Sequence, residues 1–367
     1  MRIHALLQEV RKARGLSAAE LAKRVSVTRQ TIYAIEDGSF VPNTAIALGL
    51  ARELDVSVEQ LFALDQEPKA EAVQAELVAG KSGGAKEGQL VRLCRVNKRL
   101  MASPLPSFPA YLPAADGVVS GKSRARISVR STVDFSGDKR LLLAGCDPAL
   151  SLLTELLDRS GIEIIASPCS SRAALEWLKQ GRVHAAGSHL FDSATGEYNV
   201  PVVKRLFPRD NVRVVTFAAW EQGLVLARGN PKGIRQIADI ASNRAVLINR
   251  EKGSGSRDLL DKSLRKAGIA VRRIAGYTNY APGHLAAAYA VANGTADCCV
   301  ATRSAARCYG LDFVPLAVER FDLSLFKTSL ELPAAKALLN LLNSSGLKRK
   351  LEAIAGYDTA HTGQVLA

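Results

Sequence analysis

The run Gly253-Ser254-Gly255-Ser256-Arg257 brings backbone freedom, two hydroxyl donors and a cation together within one short loop. It lies between an apolar stretch, Ala245–Ile248, that reads as a strand and a segment, Arg257–Ala267, that reads as a helix. The first turn of a helix exposes N–H groups without intrahelical partners and carries a partial positive charge, so such a junction suits an oxyanion. Glycine lets the backbone approach the anion, and the preceding Asn249-Arg250 adds an amide and a second cation. Ser170-Ser171 stands in the same relation to a helix read from Arg172. Two serine-rich helix starts on facing lobes would clamp one small anion, with Tyr280 as a further contact. A plain connecting loop is the other reading of the same residues. No G-x-x-x-x-G-K-[ST] occurs in the sequence, which sets a P-loop phosphate site aside.

Nucleophile chemistry has thinner support. His189 and His284 with Asp147 or Cys146 would make an acid–base or nucleophile set, but no spacing orders them. A histidine beside a ligand loop reads instead as a hydrogen-bond donor. The six cysteines, Cys94, Cys146, Cys169, Cys298, Cys299 and Cys308, form no C-x-x-C pair and no zinc spacing. They read as reduced, mostly buried thiols. The expectation is therefore no catalytic set, no metal and no cofactor.

The elements that position these residues alternate from Lys139 onward. Leu141–Ala144, Glu163–Ala166 and His184–Gly187 read as strands, with helices over Ala149–Leu157 and Arg172–Lys179 between them. A second series runs through Val212–Phe217, Gly223–Ala227, Ala245–Ile248 and Ala296–Ala301, with helices over Arg257–Ala267 and Leu285–Asn293. Such alternation implies parallel α/β sheets. Gly181–Gly187 is echoed by Gly294–Val300: a helix ends, glycine turns the chain, and a strand leads to a polar loop. The reading is one two-lobed α/β domain over 139–367, with lobe 1 at 139–211 plus 320–367 and lobe 2 at 212–319. Residues 89–138, with Pro104, Pro106, Pro109 and Pro113, read as a small strand-rich connecting segment. Polar, Gly-rich 66–88 reads as a flexible linker with a helical turn near Ala70–Ala79.

Residues 1–65 are of another kind, an all-α head. Ser17-Ala18-Ala19-Glu20 is a capping box. Thr28 caps a helix over Arg29–Glu36, and Pro42-Asn43 opens a fourth. Leu16–Ala22, Val25–Gly38 and Pro42-Asn43 resemble the Cro/phage-repressor type of helix-turn-helix. The resemblance implies that the Arg29 helix enters the major groove of double-stranded operator DNA, with Arg29, Gln30, Thr31 and Tyr33 as reading residues and Ser17 and Thr28 beside them. Many members carry Gln where this chain has Ala18, so one contact is lost or moved. Glu36 reads as a structural partner of a basic residue.

Residues 139–367 resemble the periplasmic-binding-protein-like domains fused to such heads, including molybdate- and tungstate-binding members. The match is carried by Cys146–Leu150, Gly187–Leu190, Thr195–Asn199, Asn249–Arg257 and His284–Ala288. The resemblance implies a ligand cleft to which Asp147, Ser188 and His189 contribute.

Bulk properties agree. The 367 residues are too many for one ordinary core. The net charge of +14 favours anionic partners, yet residues 1–65 hold eight basic and eight acidic side chains, so the excess lies outside the head. Neither a signal peptide nor a membrane span is visible, and a cytoplasmic location without membrane contact is expected. The functional expectation is a ligand-responsive bacterial transcriptional regulator, a homodimer sensing a small anion such as molybdate or tungstate. An enzyme with a DNA-binding head, linked to molybdenum-cofactor metabolism, and a DNA-bound scaffold without ligand remain as rivals. Replacing Arg29 and Gln30 together by Ala is expected to weaken specific DNA binding by about 1–3 kcal/mol per lost base contact. A gel-shift titration on a selected operator checks this, and binding equal to wild type would show that another helix reads the DNA.

Overall fold

The computed structural model describes residues 3–64, 71–79, 86–105, 115–123, 126–131, 139–209, 211–354 and 356–367. It divides into two compact units, Met1–Glu71 and Ala72–Ala367.

The first unit holds α1 (Leu7–Ala13), α2 (Ala18–Arg24), α3 (Arg29–Glu36), α4 (Thr44–Leu54) and α5 (Val58–Leu61). It is closed by pairing of β1 (Ile3–Ala5) with β2 (Phe62–Leu64). Each helix start is fixed locally. Ser17 and Glu20 form the expected capping box, the Thr28 hydroxyl accepts from the Thr31 N–H, and Asn43 caps α4. Leu7, Leu21, Ile32, Ile35, Leu50, Leu54 and Leu61 form the buried core. At roughly 1.5–3 kcal/mol for each large apolar side chain removed from water, this core rather than helix propensity holds the unit together. Glu36 pairs with Arg11 at 2.6 Å, the structural role read for it from the sequence.

The second unit begins with a closed five-stranded barrel of β3 (Glu71–Leu77), β4 (Leu90–Val96), β5 (Arg99–Pro104), β6 (Gly117–Ser123) and β7 (Arg126–Ser131). Two expectations change here. The helical turn read near Ala70–Ala79 is a strand, because Ala75 and Val78 supply inward side chains to barrel and lobe cores. The remaining linker positions, 66–70 and 80–85, lie outside the described residues. The strand-rich segment is also more than a connector. Val78, Cys94, Val96 and Met101 share a core with Leu142, Ile165 and Leu178 of the domain that follows. Arg140 bridges Asp116 at 2.9 Å and Glu163 at 2.6 Å, and Arg92 joins the same two carboxylates. Arg99 donates to the Gln180 and Gly181 carbonyls.

The α/β domain is built on one seven-stranded mixed sheet. Its first lobe contains β8 (Arg140–Gly145), α6 (Leu150–Asp158), β9 (Glu163–Pro168), α7 (Ser171–Lys179) and β10 (Ala185–Ser188). A hairpin of β11 (Phe191–Asp192) and β12 (Glu197–Tyr198) and then α8 (Val200–Leu206) follow. The strand β13 (Val212–Leu226) crosses into the second lobe. That lobe contains α9 (Ile237–Ser242), β14 (Asn249–Arg250), α10 (Gly255–Lys266), β15 (Tyr280–Ala281), α11 (Gly283–Ala292), β16 (Cys298–Thr302) and α12 (Arg303–Cys308). The chain returns along β17 (Asp312–Phe326) to α13 (Pro333–Leu342), α14 (Ser345–Ala353) and β18 (Tyr357–Asp358). The sheet order is β9-β8-β10-β17-β13-β16, with β18 on β13. Only β8, β9 and β10 run parallel; β13 and β17 pair antiparallel with each other and with the strands outside them, so the all-parallel expectation is corrected.

The lobe boundary moves too. Val212, Val214, Val215 and Phe217 pack in the first lobe, whereas Leu224, Val225 and Leu226 pack in the second. The crossing therefore lies near Trp220–Gly223, not at residue 212. Register shifts flank it, between Thr216 and Ala218 and between Gln222 and Gly223. Such bulges bend a strand. Gly223 is required at the second: a Cβ there would stand 2.1 Å from the Val314 carbonyl oxygen. The echoed segments occupy equivalent places, β10 beside β17 and β16 beside β13.

His184 ties the barrel to the first lobe. Its Nδ1 accepts from the Leu142 N–H at 3.0 Å, and burial lowers its pKa from 6.5 to about 4 despite a hydrogen bond with the Arg95 backbone. A folded pKa below the unfolded one means that this contribution is complete above pH 6.5 and declines as pH falls towards 4. His184→Asn keeps an acceptor without titrating. The stability difference between wild type and His184→Asn is expected to shift against wild type by about 2 kcal/mol between about pH 7.5 and pH 5. Urea denaturation at both pH values measures it, and a difference independent of pH would contradict it.

Candidate functional site

The reading face of the head comes first. In α3, Arg29, Gln30 and Tyr33 are exposed, and Thr31 is half-buried with its hydroxyl 2.8 Å from that of Thr28. Arg29 lies over the Tyr33 ring and donates to its hydroxyl at 2.8 Å, which orders two long side chains side by side. Ser17 and Thr28 sit at the helix starts, where their hydroxyls cap backbone N–H groups.

The second site is a buried polar layer where the lobes meet. From the first lobe come Cys146 and Asp147 after β8, Ser171 at the start of α7, and His189 just after β10. The crossing strands add Trp220, Gln222 and Glu319. The second lobe adds Arg250 at the end of β14, Ser256 in the first turn of α10, and His284 in that of α11. All are buried. His189 is the centre. Its Nε2 is 3.3 Å from the Cys146 Sγ, its Nδ1 is 2.7 Å from Glu319, and its backbone N–H donates to Ser171. Its ring packs against Trp220 and His284, with centroids 5.0 and 5.7 Å away. Burial opposes charge on His189, but Cys146 and Glu319 outweigh it and raise its pKa to about 10. His284 goes the other way, held neutral by burial, Arg250 and His189. Burial also raises Asp147 to about 7, although Tyr357 and the Ala149 N–H both hydrogen-bond its carboxylate.

Arg250 is the cation of this layer. Its Nε and Nη2 donate to Glu251 at 2.9 and 3.0 Å, and it lies beside Cys146 of the opposite lobe. Among the described residues, Arg250 Nη1, Ser256 Oγ, Ser188 Oγ, Trp220 Nε1, both His284 ring nitrogens, Asp147 Oδ2 and Gln222 Oε1 are buried without a hydrogen-bond partner. Orphaned buried polar groups each cost about 1–3 kcal/mol, so a group that engages several at once gains substantially.

Asp147, Ser171, His189, Arg250, Gly255 and Ser256, all read from the sequence, meet here; Ser188 sits opposite Asp322, on the sheet face away from Phe321 and the His189 ring. Others do not. Ser170 and Ser254 cap α7 and α10. Asn249 binds the Tyr277 carbonyl and the Arg250 N–H and so shapes the loop. Arg257 turns away to stack on Tyr277 and donate to the Arg250 carbonyl, and Tyr280 is 64% exposed. Sequence reasoning missed Glu319, Gln222 and Trp220. Glu319 gave little signal, being one of three carboxylates in β17 with Asp312 and Asp322.

Comparison with known proteins places this geometry. Residues 154–343 match the PBP superfamily domain, and residues 7–61 match a helix-turn-helix. The chain belongs to the PBP superfamily. It is 33% identical over 231 residues to an uncharacterized protein, YvgK, of Bacillus subtilis (strain 168), covering 63% of this chain and 74% of YvgK. The head is 46% identical over 63 residues to an uncharacterized HTH-type transcriptional regulator of Methanothermobacter thermautotrophicus, covering 17% of this chain and 91% of that protein. Among solved structures, the tungstate ABC transporter from Geobacter sulfurreducens aligns with a TM-score of 0.44 at 13% identity, over 60% of this chain and 99% of that one. This chain thus joins a helix-turn-helix to a PBP-superfamily domain. Among its described residues, no helix is long and apolar enough to cross a membrane.

Closure of the lobes depends on Gly255. A Cβ there would stand 2.3 Å from the His189 carbonyl oxygen and 2.5 Å from its Nδ1. The Gly255→Ala protein is expected to stay open. Small-angle scattering should then give it a larger radius of gyration than wild type under closing conditions, and an unchanged radius would contradict this packing.

Proposed function

We propose that a small anion bound between the two lobes controls the affinity of the helix-turn-helix for operator DNA. The observation that carries the reading is the set of buried, unpartnered donors around His189: Arg250 Nη1, Ser256 Oγ and Trp220 Nε1. Ser256 stands in the first turn of α10, whose start adds the polarity of a helix N-terminus. A tetrahedral dianion accepts hydrogen bonds from several directions, so molybdate and tungstate are the first candidates.

The ligand shifts the lobes only by its differential affinity for the open and closed states. Because the barrel is fixed to the first lobe by a shared core and the Arg92–Asp116–Arg140–Glu163 cluster, it travels with that lobe. Closure then changes the second lobe's position against lobe 1 and barrel together. A homodimer acting in the cytoplasm on a pseudo-palindrome, with half-sites roughly one helical turn apart, would convert that change into altered spacing of two heads.

The test is isothermal titration of chelator-treated full chain with molybdate, tungstate, sulfate, phosphate and small carboxylates. An anion is expected to bind, with Arg250→Gln and Ser256→Ala weakening it at least tenfold and Arg257→Ala leaving it unchanged. Heat from uncharged metabolites alone, indifferent to Arg250 and Ser256, would overturn the anion reading while leaving a ligand-sensing regulator.

A further inference from the structure

We propose that Cys146, His189 and His284 form an interlobe binding site for a late first-row transition-metal ion, with zinc the best fit. The donor atoms of these three buried side chains lie within 4.8 Å of one another. A thiolate and two imidazoles are the ligand types that zinc, copper and nickel prefer over magnesium or calcium. Tetrahedral zinc at ~2.3 Å from sulfur and ~2.0–2.1 Å from nitrogen needs ligand atoms about 3.3–3.6 Å apart, close to the 3.3 Å between Cys146 and His189.

Three features go beyond composition. First, His189 is already oriented: Glu319 holds its Nδ1 at 2.7 Å, which leaves Nε2 directed at the Cys146 Sγ 3.3 Å away. This is the carboxylate–histidine arrangement that stands behind metal-ligating imidazoles. The proton between Nε2 and Sγ is the one an ion would displace. Second, both ring nitrogens of fully buried His284 have no partner, and an ion engages one of them. Third, the charges balance. The Arg250 guanidinium is neutralised by its two hydrogen bonds to Glu251. The Cys146 thiolate and the Glu319 carboxylate then offset a divalent cation.

Cys146 and His189 belong to the first lobe and His284 to the second. The ion therefore has its third ligand only when the lobes are closed, and it acts as a staple across the cleft. Three protein ligands leave a fourth position open for water or another ligand. The site uses different atoms from the anion reading and stands without it.

Full-length protein stripped with chelator and dialysed is titrated with Co²⁺. One ion per chain should give tetrahedral visible bands and a thiolate-to-metal charge-transfer band that Cys146→Ser abolishes and Cys308→Ser retains. Competition with a chromophoric chelator should show Zn²⁺ binding at least tenfold weaker in His284→Asn and 10–100-fold weaker in Glu319→Gln, a residue acting only through His189. X-ray absorption of the Zn²⁺-loaded wild type, which needs no variant to fold, should report one sulfur and two imidazoles. A cobalt spectrum without a thiolate band, one that survives Cys146→Ser, or a zinc shell without sulfur would overturn the proposal. Molybdate titration of chelated protein fails or succeeds independently of these results.

Discussion

The closed form of the sensing domain depends on one constraint: charged and polar groups that share a seam from which water is excluded. Arg250, Glu319, Asp147 and His189 are each at most 5% exposed, yet they come from two lobes and from the strands that cross between them. Removing such groups from water is costly unless each meets partners of the right sign and geometry. Glu251 serves Arg250, Glu319 serves His189, and Tyr357 serves Asp147. The atoms left over point to what the seam accommodates. An apolar seam would close on hydrophobic burial alone; this one leaves buried polar atoms that a bound polar group would satisfy.

The rest of the domain keeps that seam adjustable without letting it fall apart. β13 and β17 run unbroken through both lobes, so the sheet is shared, and the two register shifts confine bending to the stretch beside Trp220 and Gln222. The aromatic group of Trp220, Phe321 and Tyr357 packs at this crossing and also borders His189. Motion of the second lobe is thereby coupled to the polar layer. On the other side, partly buried ion pairs and a common apolar core bind the barrel to the first lobe.

Much of this was legible because it is local. The helix starts of the head depend on side chains three residues from the N–H groups they cap, as with Ser17 and Glu20 or Asn43 and Ile46, and sequence spacing displays such pairs directly. The α/β alternation was equally visible. What stayed hidden is long-range. Glu319 lies 130 residues from His189, and Cys146 lies 43 from it, so only the fold makes them neighbours. β13 read as two strands because its bulges interrupt the alternation. Arg257 looked like a ligand cation, but its guanidinium lies over the Tyr277 ring and donates to the Arg250 carbonyl. Serines at helix starts suggested an anion clamp, and half of them are capping residues, since a hydroxyl that caps a helix and one that binds a ligand occupy the same sequence position.

The claim at the centre is that the interlobe seam is built around a bound group. The most direct measurement is a high-resolution crystal structure of the full chain with its lobes closed. The account expects non-protein density, other than water, bonded to Arg250 Nη1, Ser256 Oγ or the His284 ring. Closed lobes in which those same atoms are bonded only to ordered water or to one another would contradict it.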